Sequence, residues 1–231
     1  MGSVRFRPSI AILAGLASGS RHCGSHAPGS TPGGCANQPG RAAHLQSPDA
    51  RVVFVAHSVP ESADRNAGPP EEGGHRYSQQ IAEAARLVAV EVGIESYDVV
   101  WQSRSGSPHV PWLEPDIVDH IDSLHTKGIT AVVVCPIGFV SDHLEVVWDL
   151  DNEAAERAAE LGMSFTRVAT PGTDSRFAEL VVELVKEQMT AAPVRKLSPF
   201  PAAGCTLNGA PCAIECCEPA KRPVQSASTR G

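Results

Sequence analysis

The feature that most constrains the fold is an alternation of short apolar runs and amphipathic stretches over residues 50–190. The first run, residues 51–56 (RVVFVA), is continuous and rich in β-branched side chains, as is typical of a strand buried on both faces of a sheet. Similar runs follow at 96–101, 129–135 and 164–168. Apolar residues recur at helical spacing between them. The pattern therefore predicts an α/β domain with the element order βαβαβαβα.

Each strand is followed by a predicted helix, and the four helices are expected near 76–92, 115–126, 142–161 and 177–185. The last one should bury a stripe formed by Phe177, Leu180, Val181, Leu184 and Val185. Alternating strands and helices form a parallel sheet with right-handed crossovers and helices on both faces. We therefore expect a four-stranded parallel sheet flanked by helices, a three-layer domain. Ligands of such sheets bind beyond the carboxyl ends of the strands.

The two flanks differ in composition from this domain. Residues 1–49 are rich in Gly, Ser, Ala and Pro, and we expect them to be a disordered low-complexity segment. An apolar run at 10–17 follows two arginines like a short signal peptide, but we interpret it as a chance stretch and expect a cytoplasmic protein. We expect residues 191–231 to be a Cys-rich flexible tail. The net charge of −7 argues against a nucleic-acid partner, no apolar run is long enough to span a membrane, and we expect a monomer.

One histidine and three carboxylates are the first candidates for chemistry. His57 directly follows the first strand, and Glu145, Asp149 and Glu153 follow the third strand at intervals of four residues. On an α-helix that interval places the carboxylates on one face, where a solvated acidic surface is the simpler interpretation. Together with His57 they predict a divalent-metal site, and one His with carboxylates suits iron, manganese or cobalt better than structural zinc.

Three more residues are candidates for binding a substrate. Ser103 and Arg104 follow the second strand at the same edge, where the Arg could hold carboxylates, although a turn with a surface Arg fits equally well. Tyr77 begins the first helix and either stacks on a ligand or packs internally.

The tail contains a dense group of cysteines within residues 205–217. Thiolates so closely spaced suit an iron–sulfur cluster or zinc, and free thiols are the alternative. Adjacent cysteines rarely bind one metal together, so one of the last pair should be idle. The candidates are Cys205, Cys212, Cys216 and Cys217.

Three segments together resemble the successive signatures of the ferrochelatase family. They are residues 54–60 (FVAHSVP), 101–106 (WQSRSG) with 112–115 (WLEP), and 136–145 (PIGFVSDHLE). The resemblance covers about residues 50–190, the carboxyl-terminal half of the family's chain, and points to its actinobacterial branch. It implies a chelatase-like fold and the insertion of ferrous iron, the substrate metal, into a porphyrin for haem biosynthesis. Coproporphyrin III or protoporphyrin IX would be the porphyrin.

The resemblance also implies residue roles. His57 matches the catalytic histidine, Glu145 the facing metal-site carboxylate, and Asp149 and Glu153 an acidic ridge that supplies metal or removes protons. The tail cysteines resemble ligands of a [2Fe-2S] cluster. The family's amino-terminal half, which forms much of the porphyrin cleft, has no recognisable counterpart in residues 1–49. The alternatives are therefore an inactive remnant that only binds metal or haem, and a sirohydrochlorin chelatase with His143 or His109 as a second metal histidine.

Overall fold

A computed structural model describes residues 49–68, 73–172, 174–190 and 197–198. Its strands and helices alternate along the chain. The elements are β1 (Ala50–His57), α1 (Glu61–Arg65), α2 (Arg76–Val92), β2 (Tyr97–Gln102), α3 (Ile117–Thr126), β3 (Ala131–Cys135), the segmented helix α4 (residues 144–160), β4 (Ser164–Arg167) and α5 (Ser175–Thr190). The four strands pair in parallel in the order β2-β1-β3-β4. This confirms the predicted sheet.

The helices cover both faces of the sheet, because alternate residues of each strand point to opposite sides. Val52 and Phe54 of β1 pack with α2, whereas Val53 and Val55 pack with α3 and α4. The helix between β1 and β2 therefore lies on one face, and the helices that lead to β3 and β4 lie on the other. The three predicted layers are present in the described residues.

The strand order identifies the part of the sheet where a ligand should bind. From β1 the chain crosses in one direction to β2 and later in the other direction to β3, so the carboxyl ends of β1 and β3 flank a topological switch point. Open α/β sheets bind their ligands in the crevice at such a point. The residues that follow these two strands are thus the first place to look for a site.

Helix α4 departs from the expected regular helix. It consists of the segments Leu144–Val146, Val147–Ala154 and Ala155–Glu160, and the middle segment is a π-helix. The helix begins at Leu144 rather than near 142, and no side chain caps its amino end. Long π-helical segments are rare and often occur at functional sites.

Two other helices also differ from the predictions. Helix α3 begins at Ile117, because the Asp116 side chain accepts a hydrogen bond from the Val118 N–H and caps it there. In α5 the expected buried stripe is only partly buried: Leu180 lies in the core, while Val181 and Val185 are about half exposed. Apolar spacing shows which side of a helix can be buried, but not whether another element covers it.

Candidate active site

His57 is the last residue of β1, and two hydrogen bonds hold it in place. Its Nδ1–H donates to the Ser58 carbonyl, because a carbonyl oxygen can only accept. Its own carbonyl accepts a hydrogen bond of 2.6 Å from the Tyr77 hydroxyl. The neutral imidazole therefore carries its proton on Nδ1 and presents the Nε2 lone pair toward the crevice. That lone pair can accept a proton or bind a metal.

The turn after His57 is fixed by a second set of hydrogen bonds. The Ser58 N–H donates to the Gln102 carbonyl at 2.7 Å, and the Ser58 hydroxyl donates to the Leu113 carbonyl at 2.9 Å. The Leu113 N–H in turn donates to the Val59 carbonyl at 3.0 Å. Ser58 is almost completely buried. The chain therefore leaves β1 along a path that is bonded to β2 and to the segment before α3.

Glu145 lies opposite His57, in the first turn of α4. The Glu145 Oε1 is 3.1 Å from the His57 Nε2, and both side chains are partly exposed. The Nε2 lone pair and the carboxylate oxygen are both acceptors, so a positive charge between them is needed for attraction. A proton on Nε2 would supply it and make the contact an ionic hydrogen bond. A metal ion would fit as well, because two ligands about 2.1 Å from an octahedral ion, at right angles, lie about 3.0 Å apart.

The loop between β3 and α4 approaches β1 closely, and a glycine allows it. The Gly138 N–H donates to the Val55 carbonyl at 3.2 Å. A Cβ at position 138 would lie 2.7 Å from the Ala56 Cβ, closer than real side chains approach. Because Ala56 immediately precedes His57, this contact sets how near the Glu145 side of the site can come to the His57 side.

The other two predicted carboxylates have separate partners. Asp149 accepts hydrogen bonds from the Gln102 side chain at 3.1 Å and from the Ser103 hydroxyl. Glu153 accepts one from the Trp148 indole at 3.0 Å. Within the described part of the chain, no three His, Cys, Asp or Glu side chains are grouped so that they could hold a metal ion. The structure thus brings together two of the four predicted metal residues.

The three predicted substrate-binding residues make contacts within the protein. Arg104 forms a 3.3 Å ion pair with Glu114 at the surface. Ser103 has a left-handed backbone conformation (φ 64°), and its hydroxyl bonds to Asp149. Tyr77 donates to the His57 carbonyl as described above, so all three side chains have structural partners.

The environment of Tyr77 keeps its hydroxyl protonated. Burial, followed by the negative charge of Asp64, raises the pKa of Tyr77 to about 12. The ring packs against Trp101 with centroids 5.8 Å apart. Tyr77 therefore acts as a neutral hydrogen-bond donor to the backbone carbonyl of His57.

The remaining predicted residues lie elsewhere. The cysteine candidates Cys205, Cys212, Cys216 and Cys217 fall outside the described residues. Cys135 is buried at the end of β3, and burial raises the pKa of its thiol to about 12, so it is an inert core residue. His143 is exposed and packs edge-on against Phe139, with ring centroids 5.4 Å apart.

Sequence reasoning missed two residues that organise the site. Gln102, the last residue of β2, is fully buried and bonds to Asp149, and its Oε1 has no partner in the structure. Arg167, the last residue of β4, binds Asp142 and Asp151 on either side of Glu145. Both follow the rule that polar residues at the carboxyl ends of strands face the site. The sequence placed Gln102 at this edge without a role, and it pointed to no residue at the end of β4.

Comparison with known proteins places the chain in a family. A model of the family described as Ferrochelatase matches residues 36–189. The chain belongs to the ferrochelatase family. Similar relatives include proteins named coproporphyrin III ferrochelatase from Nocardia farcinica (62% identical over 175 residues, 76% of this chain and 50% of the relative) and Corynebacterium glutamicum strain R (54% over 173 residues, 75% and 46%). The family membership and the actinobacterial relatives confirm the resemblance predicted from the motifs.

Two further facts limit what the comparison conveys. The chain spans about half the length of the curated relatives it matches. A solved structure described as "Putative cobalamin (vitamin B12) biosynthesis CbiX protein" from Marinobacter aquaeolei VT8 covers 62% of this chain and 99% of its own, with 15% identity and a TM-score of 0.40. We draw no argument from a score of that size. Among the helices that the structure describes, none is long and apolar enough to cross a membrane.

Proposed function

We propose that this chain carries the metal-insertion face of a ferrochelatase, at which ferrous iron enters a porphyrin. The observation that carries the proposal is the 3.1 Å contact between His57 and Glu145 at the switch point of the sheet. Coproporphyrin III is the favoured substrate, because the relatives that are more than half identical to this chain carry that name. Protoporphyrin IX is the second candidate.

The reaction requires that two pyrrole N–H protons leave as Fe²⁺ enters. His57 accepts a proton at Nε2, because its Nδ1 proton is already engaged by the Ser58 carbonyl. The imidazolium that forms is stabilised by the Glu145 carboxylate beside it. Glu145 is about half exposed, so it can pass the first proton to solvent, and the deprotonated His57 then accepts the second. Glu145 can also hold the incoming iron. The site thus provides a base and an adjacent anion for a step that exchanges two protons for one dication.

Three exposed apolar side chains lie within five residues of Glu145 in the sequence, and such side chains suit a flat macrocycle. Val140, Leu144 and Trp148 are 56%, 82% and 55% exposed, although large apolar side chains are usually buried. They come from the loop before α4 and from its first two turns, the same stretch that contains Glu145. A porphyrin face laid against them would cover apolar surface and bring its nitrogens toward His57.

The second candidate is a remnant that binds metal or haem weakly and does not insert iron. The alternatives can be separated by titrating coproporphyrin III into the protein and following porphyrin fluorescence. A functional site should bind at micromolar protein, and a remnant should not. Parallel assays with Co²⁺ and sirohydrochlorin test the third candidate, the sirohydrochlorin chelatase.

The central experiment measures anaerobic iron insertion by the His57→Ala variant. The loss of free-porphyrin fluorescence reports the rate. We expect at least an about 100-fold loss of rate, the size typical of removing a general base. His125→Ala is the matched control, because His125 is exposed in the last turn of α3. Glu145→Gln should also lower the rate, since the amide cannot neutralise the imidazolium. Wild-type rates in His57→Ala would refute the role of His57.

Three further properties belong to this proposal. Cys205 and Cys212, with Cys216 or Cys217, would hold a [2Fe-2S] cluster. Iron and sulfide content and the EPR spectrum of the reduced protein test that assignment. We also expect the chain to be a monomer in the cytoplasm. Light scattering would measure its mass, and cell fractionation would determine its location.

A further inference from the structure

Arg167 connects the two parts of the chain that surround Glu145. As the last residue of β4 it reaches back across the carboxyl edge of the sheet. Its Nε and Nη2 bind the two carboxylate oxygens of Asp151 at 2.6 and 2.9 Å. Its Nη1 binds the Asp142 carboxylate at 3.0 Å. Asp142 precedes Glu145 by three residues and Asp151 follows it by six, so one guanidinium holds both sides of the helix start.

This contact differs from an ordinary surface ion pair. The Arg167 side chain is only 15% exposed, so solvent screens its bonds less than those of an exposed pair. The pairing with Asp151 uses two parallel N–H···O bonds, which define orientation as well as distance. The planar guanidinium therefore sets the separation between the loop that contains Asp142 and the π-helical segment that contains Asp151.

The amino end of α4 needs such a contact. No side chain caps it, and Asp142, which is close enough in sequence to act as a cap, binds Arg167 instead. The segment that follows is π-helical. The first turn, in which Glu145 lies, is held by the bond from the Val147 N–H to the His143 carbonyl at 3.1 Å and by the buried Val146. Arg167 adds the side-chain contact that the missing cap does not provide.

We propose that Arg167 is a positioning residue that holds Glu145 against His57 by clamping Asp142 and Asp151. For its effect on catalysis, this inference rests on the proposed iron insertion. The clamp itself is a property of the fold and can be measured without any activity.

The kinetic test compares Arg167→Gln with Arg167→Lys in anaerobic iron insertion into coproporphyrin III. A displacement of about 1 Å in a catalytic group can cost about 100-fold in rate, so we expect Arg167→Gln to lower kcat about 10- to 100-fold. The KM for porphyrin should change less than twofold, because Arg167 is not among the apolar residues proposed to contact it. Arg167→Lys should recover part of kcat, since it keeps the charge but not the paired geometry.

Arg157 provides the matched control. It lies in the last segment of α4 and also binds two carboxylates, those of Asp122 and Glu160, at 2.7 Å each. Those carboxylates do not flank Glu145. Arg157→Gln should therefore leave kcat within about twofold of wild type. If Arg167→Gln and Arg157→Gln lowered kcat equally, Arg167 would be a general stabilising residue, and the proposal would be overturned.

A second measurement is independent of activity. Trp148 lies in the π-helical segment, and its indole N–H is one of three in the chain. In a ¹H–¹⁵N spectrum, Arg167→Gln should move the Trp148 indole signal and leave those of Trp101 and Trp112 in place. If the wild type inserts no iron, the proposed function fails while this spectrum still tests the clamp.

Single acceptor variants complete the test if Arg167→Gln does not fold. Asp151→Asn and Asp142→Asn each remove one charge from the clamp, and each should shift the Trp148 signal in the same direction. Unchanged Trp148 signals in both, or in a folded Arg167→Gln variant, would overturn the proposal.

Discussion

The two sides of the candidate active site are held by different forces. On the His57 side, the turn is fixed by hydrogen bonds between neutral groups: the Tyr77 hydroxyl, the Ser58 hydroxyl and backbone amides. On the Glu145 side, an uncapped helix start is held by the ion pairs of Arg167. The first arrangement follows a strand in the middle of the sheet, and the second lies at the partly exposed start of a π-helical segment.

This difference predicts how each side responds to change. Ion pairs weaken with salt, because the screening length falls from about 10 Å at 0.1 M to about 3 Å at 1 M. Hydrogen bonds between neutral buried groups do not depend on salt in that way. In such a site, neutral hydrogen bonds keep the base in place, and the position of the opposite carboxylate depends on the ion pairs of Arg167. The predictions below test whether the two sides are separate in this sense.

The largest effect should come from breaking the contact between the sides. Gly138→Ala would place a Cβ 2.7 Å from the Ala56 Cβ and push the loop before α4 away from β1. Overpacking of this kind costs about 1–3 kcal/mol, so we expect that loss in the free energy of unfolding, measured in urea. Iron insertion should fall as well, because Glu145 moves with the loop.

Ser141→Ala is the control for Gly138→Ala. Ser141 lies in the same loop and is exposed, so its loss should change stability by less than about 0.5 kcal/mol. Equal stabilities of the two variants would show that the loop adapts freely, and the close approach at Gly138 would then not define the site.

A smaller effect is expected on the His57 side from Tyr77→Phe. The variant removes the donor to the His57 carbonyl and should cost about 1 kcal/mol at neutral pH. The folded pKa of Tyr77 is about 12 and the ordinary value is 10, so the unfolded chain ionises first as pH rises. The wild type therefore loses stability relative to Tyr77→Phe above about pH 10, and the difference between them should shrink there.

Tyr97→Phe is the control, since Tyr97 is the other tyrosine of the chain. Its ring packs edge-on against Phe54, three residues before His57, and it does not donate to the His57 carbonyl. Urea unfolding at pH 7 and pH 11 would compare the two variants. A Tyr77→Phe effect that grows between these pH values would contradict the neutral-donor role.

The comparison also explains what could be predicted from sequence. The strands were located to within about two residues, because continuous β-branched runs have few alternatives to a buried strand. The proximity of His57 and Glu145 followed from the rule that the carboxyl ends of parallel strands share one edge. Backbone pairing determines both features, and backbone pairing leaves a clear trace in apolar periodicity.

The features that could not be predicted depend on side-chain partners. The π-helical segment was invisible, because Val146, Leu150, Ala154 and Ala158 recur every four residues as in an ordinary α-helix. The role of Arg167 could not be predicted, because an Arg at the end of a strand resembles any surface Arg in sequence. Its partners Asp142 and Asp151 are identified only by the three-dimensional structure. The charge-held side of the site was therefore the harder one to foresee.

The smallest predicted effect concerns Asp116, beside the end of β2, where burial acts most strongly and the charge of Asp149 from the Glu145 side acts least. Burial raises the pKa of Asp116, and the charges of Asp119 and Asp149 raise it further. The hydrogen bond from the Val118 N–H and the charge of Arg104 lower it, but by less. Because the carboxyl has a higher pKa in the folded than in the unfolded chain, the free energy of unfolding falls as pH rises between these two values. Above the folded pKa, the loss of stability stays constant. Asn also caps helices, so Asp116→Asn should remove this cost and keep the cap.

We therefore expect Asp116→Asn to be slightly more stable than wild type at pH 7, by about a few tenths of a kcal/mol, since solvent screens a half-buried carboxylate. The difference should vanish below about pH 3, where the wild-type carboxyl is protonated. Asp119→Asn is the control with the opposite sign, because an exposed carboxylate in the first turn of α3 is favoured by the helix dipole. Urea unfolding across this pH range measures both. A destabilised Asp116→Asn at pH 7 would mean that the bond from the Val118 N–H to the ionised carboxylate outweighs the cost of burying it, and it would contradict the raised pKa of Asp116.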